Sequence, residues 1–282
     1  MAPAQDLGSK YMMNSGHEIP ALGYGVYMIP PSATEKVTLE AFKQGYRHVD
    51  SAIMYRNEKA CGRAINKSGL DRSELFFTTK IPPGSMGYER TKRAVDSSLR
   101  EAEQEYFDLI LIHAPYGGKD ARLGSWRALA EAQQVGKTKS IGVSNYGIHH
   151  LEELEAYITG GGGGKLSVGQ YELHPWLDRT DIADWLQKRN IAVEAYSPLA
   201  HGERMQEPVL HSLGKKHGKS PAQIMIRWGL QRGFVPLPKS ATPARIAQNA
   251  DIFDFELSEE DMKSLQTGDY SPTDWDPTVD FD

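Results

Sequence analysis

Cysteine is almost missing from this chain of 282 residues: Cys61 stands alone. Neither an internal disulfide nor a thiolate metal centre is open to it, as expected in a reducing compartment. No apolar run reaches the roughly 18 residues that cross a bilayer. Mean hydropathy is −0.51, and the start MAPAQDLGSK has no apolar stretch of the kind that directs secretion. The expected location is the cytosol, away from membranes. Positive charge is not in excess either, because the formal charge is −5 on a sequence of mixed sign. Nucleic acid is therefore not an expected partner, and any phosphate must be held at a local site. The 27 glycines and 16 prolines show no triplet period, which excludes a collagen-like fibre. The spacings HExxH, CxxC and GxSxG are absent, as is GxGxxG after a strand, so zinc, serine-hydrolase and doubly wound dinucleotide readings lose their signatures. Nothing calls for a second subunit, and a monomer is the expected state.

What is present is alternation. From residue 21 onward, short β-branched and aromatic runs alternate with amphipathic helical stretches, the pattern of βα units around a parallel sheet. Candidate strands are 21–27, 47–52, 75–81, 107–113, 138–143, 167–173, 192–197 and 234–238. Helical patterns fall at about 32–45, 57–68, 88–104, 122–135, 147–158, 179–189, 220–232 and 243–252. Ser220-Pro221 and Thr242-Pro243 each set a cap residue before a proline at the first helical position, and Gly45, Gly69, Gly136 and Gly233 follow helix ends. Eight near-continuous apolar strands in a chain of this length specify an α/β fold of the (β/α)8 TIM-barrel type, one domain over 1–282. Residues 10–19, centred on Asn14-Ser15-Gly16, read as an N-terminal hairpin plugging the barrel floor. Residues 198–219 are extra material after the seventh strand; Ser258 to Gln266 form a capped helix before the tail at 267–282. The glycine run 160–164 reads as a helix cap followed by a floppy linker.

In such a barrel the reacting groups stand where strands end and in the loops that follow. Those exits carry Asp50 and Tyr55, Lys80, His113, Ser144 and Asn145, Gln170, Tyr196, and Lys239 with Ser240. Four of them make chemical sense together. A phenol titrates near 10 and donates poorly at neutral pH, but an ammonium at about 4 Å favours the phenolate by roughly 4 kcal/mol at an effective dielectric near 20. Lys80 is thus expected to win against desolvation and lower the Tyr55 pKa, with Asp50 keeping Lys80 charged. His113 would offer an imidazole N–H to a carbonyl oxygen. The set is suited to protonating an oxygen while hydride arrives at its carbon. Taken singly, each has a structural alternative. His48 reads as a core or supporting histidine, His149-His150 as solvated, His174 as a turn element and Cys61 as packing.

At these residues the chain resembles the aldo-keto reductase superfamily. The motifs are GYRHVDSAIMYRNE at 45–58, RAVDSSL around Asp96, FDLILIHAP at 107–115, IGVSNY at 141–146, QYELHPWL at 170–177, AYSPLA at 195–200 and VPLPKSATPARIAQNA at 235–250. The resemblance implies reduction of aldehydes or ketones to alcohols with NADPH, converted to NADP+, and without metal or flavin. It makes Tyr55 the general acid beside Asp50, Lys80 and His113. Tyr196 looks like the plate on which the nicotinamide stacks, with Ser144, Asn145 and Gln170 holding its carboxamide. Ser197 and Leu199 fall beside the pyrophosphate, Lys239, Ser240 and Arg245 look like the clamp on the 2′-phosphate, and Gln248 and Asn249 resemble the adenine contacts.

Departures lie on the substrate side. Many members carry tryptophan where this chain has Tyr27, and another after the catalytic histidine, where it has Ala114; a methyl group there should widen the pocket. Tyr27, His113, Ala114, Tyr116, His201 and Trp275 are the candidate substrate contacts, and the short loops resemble compact microbial and plant-type members. Two alternatives stand beside a small-molecule carbonyl reductase: an NADP(H)-sensing barrel with vestigial turnover, and a Schiff-base aldolase using Lys80 or Lys239.

Overall fold

The computed structural model describes residues 4–273 and 275–281. The chain opens with an antiparallel hairpin, β1 (Lys10–Met12) and β2 (Glu18–Pro20). There follow β3 (Tyr24–Gly25), β4 (His48–Asp50), β5 (Phe76–Ile81), β6 (Phe107–Ile112), β7 (Thr138–Ser144), β8 (Leu166–Glu172), β9 (Ala192–Tyr196) and β10 (Phe234–Pro236). These eight are parallel, and each pairs with its neighbour in sequence. β5, β6 and β8 are buried at every position, as in a parallel sheet covered on both faces, even where they carry Lys80, Asp108, Gln170 and Glu172. The ends of the sheet meet. Gly23 N–H donates to Pro236 O at 3.0 Å and Gly25 N–H to Pro238 O at 3.1 Å, closing the barrel. Glycine is needed at that seam, because a Cβ on Gly23 would lie 2.5 Å from Leu237 Cδ2.

Helices α1 (Pro31–Lys43), α2 (Glu58–Lys67), α3 (Tyr88–Glu101), α4 (Gly118–Gln134), α5 (Ile148–Tyr157) and α6 (Thr180–Gln187) connect successive strands. After β9 the extra segment folds as α7 (Pro208–His217), an element absent from the sequence reading, and α8 (Pro221–Gln231) leads back to β10. α9 (Pro243–Ala250) and α10 (Glu259–Ser264) follow. The expected start signal of α8 forms a capping box: Gln223 N–H donates to Ser220 Oγ and Ser220 N–H to Gln223 Oε1, at 3.3 and 2.9 Å.

The hairpin closes the barrel floor. Asn14 Nδ2 donates to Leu166 O at the start of β8 (2.8 Å), and Ser15 Oγ lies 2.8 Å from Ser140 Oγ. The opposite end is therefore the open one. The glycine run departs from the expected floppy linker. It continues α5 as one wide turn, Ile158–Gly162, in which Gly162 packs so closely on Tyr157 that a Cβ would sit 2.2 Å from the ring. Trp126 Nε1 donates to Gly163 O at 2.9 Å, which ties the run to α4. His150 also departs from the solvated reading: it is buried, and its Nδ1 accepts from Gly147 N–H at 3.2 Å, serving the start of α5. No helix among the described residues is long and apolar enough to cross a membrane.

Candidate active site

Strand alternation sends Asp50, Lys80, Gln170, Glu194 and Tyr196 into the barrel, and the loops after β4 and β6 bring Tyr55 and His113 above them. Lys80 is wholly buried at the centre. Its Nζ donates to Asp50 Oδ1 at 2.6 Å, to Ser51 O at 2.8 Å and to Tyr55 Oη at 3.4 Å. Buried charge is costly unless paired and hydrogen-bonded, and all three ammonium hydrogens have acceptors here. Burial is the largest single influence and pulls Lys80 down, but Asp50, by charge and hydrogen bond, together with Tyr55 and Glu194 more than offsets it, and Lys80 is held charged to higher pH than an ordinary lysine.

Tyr55 corrects the expectation drawn from charge. Burial is the largest influence on its hydroxyl and pushes the pKa up; Lys80 pulls it down but does not prevail, with Asp50 and Tyr27 adding to burial. The phenol therefore keeps its proton throughout the neutral range. A lysine that must itself pair with Asp50 has only part of its field left for the phenol. The loop carrying Tyr55 is held by Asn57, whose Nδ2 donates to Val26 O and Ile29 O at 2.9 and 3.2 Å while Oδ1 accepts from Ser51 Oγ at 2.8 Å.

His113 lies edge-on to Tyr55, ring centres 5.8 Å apart. Burial, with Lys80 behind it, pushes the imidazole down to about 3, so it is neutral, and its buried Nδ1 has no partner among the described residues. His48 fits the supporting role, fully buried with Nε2 at 3.0 Å from Thr78 Oγ1. His174 fits the turn reading, its backbone bridged to Leu177 and its Nε2 3.0 Å from Glu172 Oε1. Cys61 is buried in α2 and its thiol is pushed up to about 12, as suits packing.

Tyr55 and His113 open on a cavity of about 1350 Å³. Ser144, Asn145, Gln170, Tyr196, Ser197, Leu199, Lys239, Ser240, Arg245, Gln248 and Asn249 also face it, with Asp50 at its base. Their mutual bonds are specific. Ser144 Oγ donates to Gln170 O at 2.9 Å, Tyr196 Oη donates to Asn145 Oδ1 at 2.9 Å, and Asn145 Nδ2 donates to His113 O at 3.1 Å. Lys239 and Arg245 are exposed where they face the cavity, and among the described residues neither forms an ion pair.

Of the expected substrate contacts, Tyr27, His201 and Trp275 face the cavity, and Met28 and Met54 join them. Ala114 and Tyr116 are not brought there. Ala114 is fully buried and does not line the cavity, and Tyr116 Oη donates to Asp280 Oδ2 at 2.9 Å. An indole is supplied from elsewhere: Trp275, from the tail, lies edge-on to His113 at 6.1 Å. Arg179 pins that tail, donating to Asp276 Oδ1 at 2.9 Å and Thr278 Oγ1 at 2.8 Å. Sequence reasoning passed over Arg179, Asn57 and Glu194. The last left a signal, a carboxylate inside the apolar strand AVEAY.

The model of the aldo/keto reductase family matches residues 21–268. The chain belongs to that family. Family membership makes it an oxidoreductase of the nicotinamide-using kind, and three relatives agree with the placement. An uncharacterised oxidoreductase of Saccharomyces cerevisiae is 42% identical over 276 residues, covering 95% of this chain and 97% of its own. Glyoxal reductase of Bacillus subtilis is 44% identical over 257 residues, 90% of each chain. The solved structure of MGS-M4, an aldo-keto reductase from a deep-sea metagenome library of the Medee basin, superposes with a TM-score of 0.91 at 37% identity, covering 97% of this chain and all of that one.

Proposed function

We propose that this aldo/keto reductase reduces small carbonyl compounds with NADPH as hydride donor and Tyr55 as proton donor. The observation that carries the reading is the buried chain from Asp50 through Lys80 to Tyr55, which ends beside a neutral His113 on the cavity. When bound, NADPH supplies a hydride to the carbonyl carbon. The Tyr55 hydroxyl accepts from Lys80, which leaves its own hydrogen free to point into the cavity, where the carbonyl oxygen takes it. Lys80 stabilises the phenolate that remains, and Asp50 keeps Lys80 charged while it does so. A neutral His113 carries one ring hydrogen; placing it on Nε2 spares the buried Nδ1 an unpaired N–H and offers a donor to the same carbonyl oxygen.

The residues present suit NADPH. Gln170 keeps an uncommitted carbonyl oxygen and Tyr196 an aromatic face on the cavity, and the unpaired cations Lys239 and Arg245 face it too, Arg245 with the planar fork that matches phosphate. Loss of this pair should narrow the preference for NADPH over NADH. With Lys80 as the nucleophile the aldolase alternative is disfavoured, because Asp50 and its other neighbours keep that lysine charged and a Schiff-base lysine must be free of its proton to attack. The vestigial sensor is disfavoured by the complete set of Asp50, Lys80, Tyr55 and His113. A panel of glyoxal-type dicarbonyls, aldoses, small aldehydes and aromatic ketones, each with NADPH and NADH, tests the reading. Faster NADPH oxidation with at least one carbonyl class is expected, and no acceleration by any would overturn it.

A further inference from the structure

Glu194 has no part in the reaction proposed above, yet it sits next to the groups that do. It lies on β9 two residues before Tyr196, hence on the same face of the strand and one layer deeper, with no exposure to solvent. Its Oε2 accepts from Gln170 Nε2 at 2.8 Å, and the same nitrogen donates to Asp50 Oδ2 at 2.8 Å. Asp50 accepts from the Lys80 ammonium through Oδ1, and its Oδ2 and Glu194 Oε2 both face one Gln170 atom; assigned as the amide nitrogen, that atom gives one hydrogen to each, and both are spent. What Gln170 has left is the carbonyl oxygen, which accepts nothing among the described residues while the side chain lines the cavity.

We propose that Glu194 is a positioning residue for the cofactor: by taking the second amide hydrogen of Gln170, it locks the amide plane so that the carbonyl oxygen meets the NH2 group of the nicotinamide carboxamide. The inference rests on the functional reading above. Asp50 alone fixes which amide atom points inward but leaves rotation about that bond open; a second acceptor at 2.8 Å removes it. The other groups facing Glu194 are consistent with a neutral carboxyl there. Lys80 is committed to Asp50, and His48 Nε2 stands 3.5 Å from Glu194 Oε1 as an uncharged ring. Burial and the Asp50 charge hold Glu194 protonated at neutral pH, which makes glutamine a close mimic.

The test uses wild-type protein, E194Q and E194L, titrated calorimetrically with NADPH and with 2′-phospho-ADP-ribose, which keeps the phosphates and lacks the nicotinamide. E194L should weaken NADPH about tenfold, the order expected for one orphaned buried hydrogen-bond donor, and leave the fragment within about twofold. E194Q, which offers an amide oxygen in place of the carboxyl oxygen, should restore NADPH binding to within about twofold of wild type. Equal NADPH affinity in E194L and wild type overturns the proposal, as does loss of both ligands together or failure of E194Q to rescue. If E194L does not fold, E194M fills the same length with an adaptable apolar side chain and is read the same way. Wild-type protein that binds the fragment but gains nothing from the nicotinamide overturns this inference alone; wild-type protein that binds neither overturns the functional reading itself.

Discussion

The site holds two sets of charges built on opposite electrostatic plans. Around Tyr55, Lys80 is fully buried and Asp50 nearly so, each committed to the other and to neighbouring groups. Lys239 and Arg245, also facing the cavity, are exposed, and among the described residues neither has an ionic partner. A buried charge left alone is heavily penalised, so the first set must be complete before substrate arrives, and its geometry is part of the fold. Hydrated surface cations carry no such obligation and act only when an anion reaches them. Substitutions in the first set should therefore cost both stability and rate, whereas those in the second should change affinity alone.

The sharpest way to break this contrast is Lys80→Met. It leaves Asp50 buried without its cation, and should cost about 3–5 kcal/mol of stability in urea melts and lower turnover by about 10²–10⁴-fold. A variant as stable as wild type would mean that the pair is not part of the fold. Next in size, the double change Lys239→Leu with Arg245→Leu should weaken NADPH about 10–100-fold while NADH is barely affected and stability stays within about 0.5 kcal/mol. Equal losses for both cofactors would show that the two sets do not divide their tasks in this way.

A smaller effect follows from pH. Burial pushes Glu194 up to about 8, from an ordinary value of 4.5. The unfolded chain thus releases this proton earlier than the folded one, and the group's contribution to stability falls as pH rises from about 4.5 to about 8. His48 and His113 are pushed down to about 3, so their contribution falls in the other direction, from about 6.5 downward. Removing the carboxyl in E194Q should erase only the alkaline component. Its melting temperature should gain on wild type as pH is raised from 5 to 8, and a constant difference across that range would count against a neutral buried acid.

The barrel was legible because eight short β-branched and aromatic runs alternate regularly with helical stretches, and the site because strand exits are fixed once the strands are known. Turn and cap residues located the hairpin and the start of α8. What escaped depended on distances between segments far apart in sequence. The Tyr55 hydroxyl is governed by how deeply it is covered and by how much of Lys80 is spent on Asp50, neither of which a motif records. Ala114 follows His113 directly, yet it is buried away from the cavity, while Trp275, some 160 residues later, reaches His113 because Arg179 pins the tail. Helix α7 was missed inside a segment taken only as an insertion. Glu194 could have been noticed, since a carboxylate in an apolar strand that faces a barrel interior needs a partner.

On the proposed mechanism Tyr55 gives the proton while the rest of the site binds and orients. Tyr55→Phe removes one hydroxyl oxygen and leaves Lys80 paired with Asp50. NADPH binding and carbonyl-dependent NADPH oxidation, measured side by side on this variant, test the claim most directly. The account predicts an NADPH affinity within about twofold of wild type and a turnover reduced by about 10²–10⁴-fold. Turnover near the wild-type rate, with the cofactor bound normally, would contradict it.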